Sequence, residues 1–181
     1  MTSTAGPAPT LKLLFDTDPG VDDAMALLFL HRHPRAQLLG VTTVFGNAEV
    51  DVTTRNALYL AERFGITAPV ARGAALPLVR PPRGAAVEVH GDDGLGNLPG
   101  RLTSTLQLDP RPAHRLIVER VVLEAKKLLT YTDLNAAEIA HFLGFDEPTH
   151  FGRFFRRYVG TTPLAWRQAQ SGPPSMRLPG Y

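Results

Sequence analysis

The chain has 181 residues, enough for one medium domain or two small ones, and its apolar content of 44% is that of a globular protein. It contains no cysteine, which excludes disulfides, thiolate metal sites and a cysteine nucleophile. The net charge of +2 is unevenly divided: residues 1–105 carry 9 Lys/Arg against 10 Asp/Glu (−1), and residues 106–181 carry 10 against 7 (+3), so the small basic excess that a nucleic-acid partner needs lies in the second part.

Residues 1–10 are small, polar and Pro-containing. The apolar run at 11–15 is too short for a signal core or a membrane span, so a cytoplasmic protein without membrane contact is expected. That run stops at Asp16 and reads as a buried strand. Asp22 is placed to cap a helix in which Ala24, Leu27, Leu28 and His31 share one side and which Pro34 ends. His31 and His33 sit two apart and so lie on different helix faces, which suits surface residues rather than metal ligands. Residues 37–45 form a second strand pattern, punctuated by Gly46-Asn47. Residues 49–64 form a second helix pattern, with Val52, Leu58, Leu60, Ala61 and Phe64 supplying apolar surface, and residues 69–71 a short third strand. This alternation predicts an α/β partial parallel sheet (βαβαβ).

Residues 73–105 are rich in Gly, Pro and small side chains and read as loop or extended chain. From Ala113 the pattern is wholly helical, with helices over about 113–130, 136–143 and 147–158. The segment after Gln170 is expected to be disordered. The predicted architecture is therefore the partial parallel sheet over 1–104 followed by an all-α helix-turn-helix domain over 105–181. In the longest helix Ile117, Val121, Ala125 and Leu128 make one apolar stripe, while Leu116, Val118, Val122 and Leu129 lie elsewhere around it. A helix of that kind expects burial on more than one side.

The densest chemical signal is residues 16–23, DTDPGVDD. Its four carboxylates within eight residues repel one another unless a cation or protons intervene. They follow a strand predicted to be parallel, at the end where ligands bind in open α/β sheets, and hard oxygen donors suit calcium or magnesium. The plain alternative is that Asp16 and Asp22 cap turns and a helix start.

These residues closely resemble the inosine-uridine-preferring nucleoside hydrolase family. The resemblance rests on DTDPGVDDAMALL at 16–28, VTTVFGN at 41–47, Arg55-Asn56-Ala57, PVARG at 69–73 and HGDDGLG at 90–96. It implies that Asp18 and Asp23 bind calcium and that Asp18 activates the attacking water. It also implies that Asp22 holds the ribose hydroxyls of a ribonucleoside, that Asn47 lies near the ribose and that His90 lies near the leaving base. The implied reaction is hydrolysis of an N-glycosidic bond, a nucleoside N-ribohydrolase activity. Members of the family are far longer and take further calcium ligands from later segments. The expectation is therefore a truncated hydrolase segment that gives no calcium-dependent turnover and carries an open sheet edge.

In the second part, Ala136 to Phe145 followed by Asp146-Glu147-Pro148 is a helix, a turn that Gly144 permits, and a second helix. Asp146 suits its N-cap and Pro148 its first turn. Ile139, Leu143, Phe145, Phe151 and Phe155 can close a small core. The opposite face carries Thr149, His150, Arg153 and Arg157, which suit contacts to double-stranded DNA when a helix enters the major groove. An ordinary helical hairpin with a solvated basic face fits the same pattern. The stretches Val118-Glu119-Arg120, LEAKKLL at 123–129, TDL at 132–134, Ile139-Ala140, LGF at 143–145, FGRFFRR at 151–157 and GTTP at 160–163 resemble the linker helix and second helix-turn-helix of AraC/XylS-type transcription regulators. That resemblance implies sequence-specific DNA binding through Thr149, His150, Arg153 and Arg157. Trp166 is expected to be a core anchor rather than a base-stacking residue.

Overall fold

The computed structural model describes residues 10–79, 81 and 84–170; the segment after Gln170 lies outside the described residues. Strand β1 (Leu11–Thr17), helix α1 (Val21–Arg32), strand β2 (Ala36–Thr43), helix α2 (Val50–Phe64) and strand β3 (Val70–Arg72) alternate. The strands form one parallel sheet in the order β1-β2-β3. Leu13 pairs with Leu38 and Leu14 with Gly40, so Leu39 is an extra residue on β2. Short α3 (Val87–His90) precedes the helical series α4 (Ala113–Tyr131), α5 (Ala136–Phe142), α6 (Pro148–Val159) and α7 (Pro163–Gln170). The helices α3 and α7 have no counterpart in the sequence pattern. A single turn in a Gly/Pro-rich stretch and a short helix behind Thr162-Pro163 carry too few periodic positions to announce themselves.

Contacts divide the chain into two units between Ile117 and Val118, inside α4. The composition changes earlier, near residue 105. The segment between remains bound to the first unit: Ser104 Oγ donates to Leu58 O at 3.2 Å and Asp109 N–H to Val70 O at 2.8 Å. Pairing of an extended segment through its backbone leaves no mark in composition.

In the first unit the core joins Leu27, Val41, Ala57, Leu60, Ala61, Ile66 and Val70. Burying Leu27, Val41 or Leu60 contributes about 1.5–3 kcal/mol each. Helix α2 also buries Thr53, Thr54 and Asn56 on the side where the sequence offers apolar surface, while Val52, Leu58 and Phe64 are only partly covered. Polar side chains can take that face because partners meet them there: Thr43 and Thr54 share a hydrogen bond of 2.7 Å, and Thr53 Oγ1 donates to Val44 O at 2.8 Å. At the end of α1, His33 Nδ1 accepts from Arg35 N–H at 3.2 Å, and the ring stacks obliquely on Phe29.

The second unit closes around Ala125, Leu129, Ile139, Ala140, Phe151 and Phe155, with Leu143, Phe145 and Trp166 packed against them. In α4 the burial differs from the expected stripe. Leu116 is buried with Ala71 and Ala113 in the first unit, and Ala125 and Leu129 are buried in the second, whereas Ile117 and Val121 are half-buried. Two cores, rather than one stripe, decide which side of α4 is covered. Among the described residues no helix is long and apolar enough to cross a membrane.

Candidate carboxylate site and helix-turn-helix surface

The acidic segment folds around Gly20, the N-cap of α1. Asp23, not Asp22, does the capping: from the third helical position its Oδ2 accepts the Gly20 N–H at 3.1 Å, half of a capping box. Thr17 Oγ1 donates to the other oxygen of Asp23 at 2.6 Å. Asn47, on the loop after β2, links the carboxylates. Its N–H donates to Asp18 Oδ2 at 2.7 Å, and its Nδ2 donates to Asp23 Oδ2 at 3.0 Å and to Asp18 O at 3.1 Å. The buried His90 is delivered by α3. Its Nδ1 accepts from Val21 N–H at 3.3 Å, and Asp22 Oδ1 lies 3.9 Å from the same nitrogen. The centre is crowded: a Cβ on Gly20 would stand 2.7 Å from His90 Nδ1 and 2.8 Å from Asn47 Nδ2, so only glycine fits.

Asp18, Asp22, Asp23, Asn47 and His90 are thus brought together. Asp16 is not among them; its Oδ1 accepts from Thr42 Oγ1 on β2 at 2.6 Å. Of the four carboxylates, Asp16, Asp18 and Asp23 each accept hydrogen bonds from protein donors. Sequence reasoning missed the role of Asn56. It is fully buried; its Nδ2 donates to Pro19 O at 3.1 Å and Asp93 O at 3.0 Å, and its Oδ1 accepts from Arg101 Nη1 at 2.7 Å. One amide thereby ties the acidic loop to the 90–97 loop. The signal was an asparagine on the covered face of an otherwise amphipathic helix. Burial pushes the Asp93 carboxyl up, but the N–H groups of Leu95 and Asn97, the Arg101 charge and the Leu98 N–H outweigh it and hold the group below the usual aspartate range.

Calcium takes six to eight oxygen ligands. Here both oxygens of Asp23 and one of Asp18 already accept protein hydrogen bonds, and among the described residues no three His, Asp or Glu side chains are grouped to hold a metal. The donor set does not fit a complete calcium cage.

In the second unit Asn135 caps α5: its Oδ1 accepts from Ala137 and Glu138 N–H, and Glu138 Oε2 accepts the Asn135 N–H at 2.7 Å. The turn uses Gly144 at φ 81°, a left-handed conformation that costs a side chain dearly. Helix α6 starts at Pro148 with Glu147, not Asp146, as its N-cap. Fixing φ at Pro148 places the boundary one residue later than the best capping side chain would. Phe151 and Phe155 are fully buried, in tilted contact 5.8 Å apart. Thr149, His150, Arg153 and Arg157 are all exposed, as is Arg156, a cation the pattern reading left out. Glu147 tempers the helix start: its Oε2 accepts from Thr149 Oγ1 at 3.1 Å and lies 3.9 Å from His150 Nε2. Trp166 packs edge-on to Phe155, 6.3 Å between centroids, and Lys126 Nζ lies 4.4 Å over its ring. Arg167 faces inward and donates to Leu129, Thr132 and Leu134 carbonyls, closing the C-terminal end of α4.

A three-stranded parallel sheet with an acidic loop at its strand ends, followed by a helix-turn-helix, defines the class. The family model "Inosine-uridine preferring nucleoside hydrolase" matches residues 13–137, more than half of the chain, and the chain belongs to that family. A helix-turn-helix domain model matches residues 109–169, so the two matches overlap across the stretch that holds α4. The inosine-uridine preferring nucleoside hydrolase of Leishmania major is 39% identical over 120 residues, 66% of this chain and 38% of the relative. A probable uridine nucleosidase of Oryza sativa subsp. japonica is 50% identical over 88 residues, 48% of this chain and 27% of the relative. A solved plant nucleoside hydrolase superposes with a TM-score of 0.56 at 33% identity, covering 66% of this chain and 36% of that one. The chain spans well under half the length of these relatives.

Proposed function

We propose that the protein is a cytoplasmic, transcription-regulator-like protein that binds double-stranded DNA sequence-specifically through α6. The observation that carries this is the division of that helix: Phe151 and Phe155 are wholly buried, while Thr149, His150, Arg153, Arg156 and Arg157 are all exposed within one short segment. The match to a helix-turn-helix domain and the +3 balance of residues 106–181 support it. Arg153 reads base edges and Arg157 meets phosphate. A single unit makes few phosphate contacts, so binding is micromolar or weaker and falls as salt rises. Selection from random duplexes, followed by titration at two salt concentrations, tests this. Arg153→Ala removes about 1–3 kcal/mol of discrimination, and Lys126→Ala leaves discrimination unchanged. An intact chain without sequence preference at low salt, or an Arg153→Ala variant that keeps its preference, overturns the assignment.

A second reading rests on the convergence of Asp22, Asn47 and His90 around Gly20: this site binds the ribose of a ribonucleoside, Asp22 accepting from its hydroxyls. Membership of the nucleoside hydrolase family supports it. Calorimetric titration with inosine decides; binding lost in Asp22→Ala sustains the reading, and absence of heat in the unaltered chain rejects it.

A further inference from the structure

Helix α1 is apolar on two opposite sides, and the first core covers one of them: Leu27 is buried there and Ala24 packs against it. Spaced by four, Val21, Met25 and Phe29 form a stripe along the other side, and they are 44%, 67% and 64% exposed. A helix apolar on both sides expects burial on both. An exposed charge stands toward each end of the stripe, Asp22 in the first turn of the helix and Arg32 in the last. Contacts within the unit leave the stripe open. The Phe29 ring lies against His33 of the same helix end, and Asp22 keeps 81% of its side chain exposed beside His90.

We propose that this stripe packs against the same stripe of a second copy of the chain, antiparallel about a two-fold axis level with residue 27. In that register Met25 of each copy lies level with Phe29 of the other, and Asp22 of each lies level with Arg32 of the other. Charge selects a second copy as the occupant. A two-fold interface presents the same patch twice, and this patch carries its anion and its cation at equal distances from the centre, five residues to either side. Antiparallel self-pairing therefore brings unlike charges to the same level at both ends, whereas parallel pairing would set Asp22 against Asp22 and Arg32 against Arg32. The long Arg32 side chain can cross the seam to reach the carboxylate while its stem covers apolar surface. Between the two ion pairs, the Met25 thioether and the Phe29 ring make a favourable sulfur–aromatic contact, which the symmetry repeats.

Sedimentation equilibrium of the full chain across the micromolar range is expected to show a monomer–dimer equilibrium. Arg32→Glu, at an exposed position, opposes like charges twice and weakens dimerisation about tenfold, and the double variant Asp22→Arg/Arg32→Glu restores it to within about threefold. Magnetic resonance of the unaltered chain reads the same interface without mutation. In a mixture of isotopically labelled and unlabelled chains, isotope-filtered spectra are expected to show cross-copy contacts between the Met25 methyl group and the Phe29 ring. A chain monomeric at every concentration, an association indifferent to Arg32→Glu or not recovered by the charge exchange, or a dimer without these cross-copy contacts overturns the proposal.

Discussion

The carboxylate site and the α6 surface are built in opposite ways. The first is assembled from segments far apart in sequence: Val21 reaches His90, 69 residues on, and Asn56 holds both Pro19 and Asp93 across 37 residues each. Its side chains are fixed by hydrogen bonds to one another. The second lies within ten consecutive residues of one helix, and burial of aromatic rings beneath, not polar contact above, determines where its exposed side chains point. A site of the first kind depends on every segment that contributes to it. A site of the second kind depends on one small core, and its surface residues can be exchanged with little effect on the fold.

The largest expected effect tests that dependence. Phe155→Ala removes a fully buried ring in contact with Phe151 and Trp166, and destabilises the second unit by about 3–5 kcal/mol. Residue-resolved amide exchange should show α5 and α6 opening while Val41 and Leu60 keep their protection. Equal loss of protection in both units would mean that they unfold together and that the contrast is one of surface only. A smaller effect belongs to Asn47→Ala, which deletes the bonds from Nδ2 to Asp23 and Asp18 and leaves acceptors unsatisfied, at about 1–3 kcal/mol. Thermal unfolding should register it in the first unit, and the DNA affinity of the chain should not move. A neutral Asn47→Ala would show that the backbone N–H of residue 47 is sufficient to hold Asp18.

Much of both regions was legible beforehand. The three strands and two crossover helices were announced by period and by turn residues, and their ends agree with the structure to within a residue or two. The second core was visible in Ile139, Phe151 and Phe155, because their spacing places them on one side of each helix. Position in the chain could not show that Asp23 caps α1 while Asp22 stays exposed, nor that Asp16 turns to Thr42. Those outcomes depend on which donors arrive from β2 and from the loop that follows it.

What the sequence determined by itself was periodic or local: the alternation that makes a parallel sheet, the glycine that permits the turn before α6, and the placing of Thr149, His150, Arg153 and Arg157 opposite two phenylalanines. The tertiary structure alone decided what rests on contacts between distant segments. It set the unit division inside α4, where Leu116 packs with Ala71 and Leu129 lies in the other core. It buried Asn56 and gathered His90 beside the acidic loop. Periodicity shows which face of an element will be covered, but a buried amide is stable only where partners from elsewhere satisfy it, and those partners are fixed when the chain closes on itself.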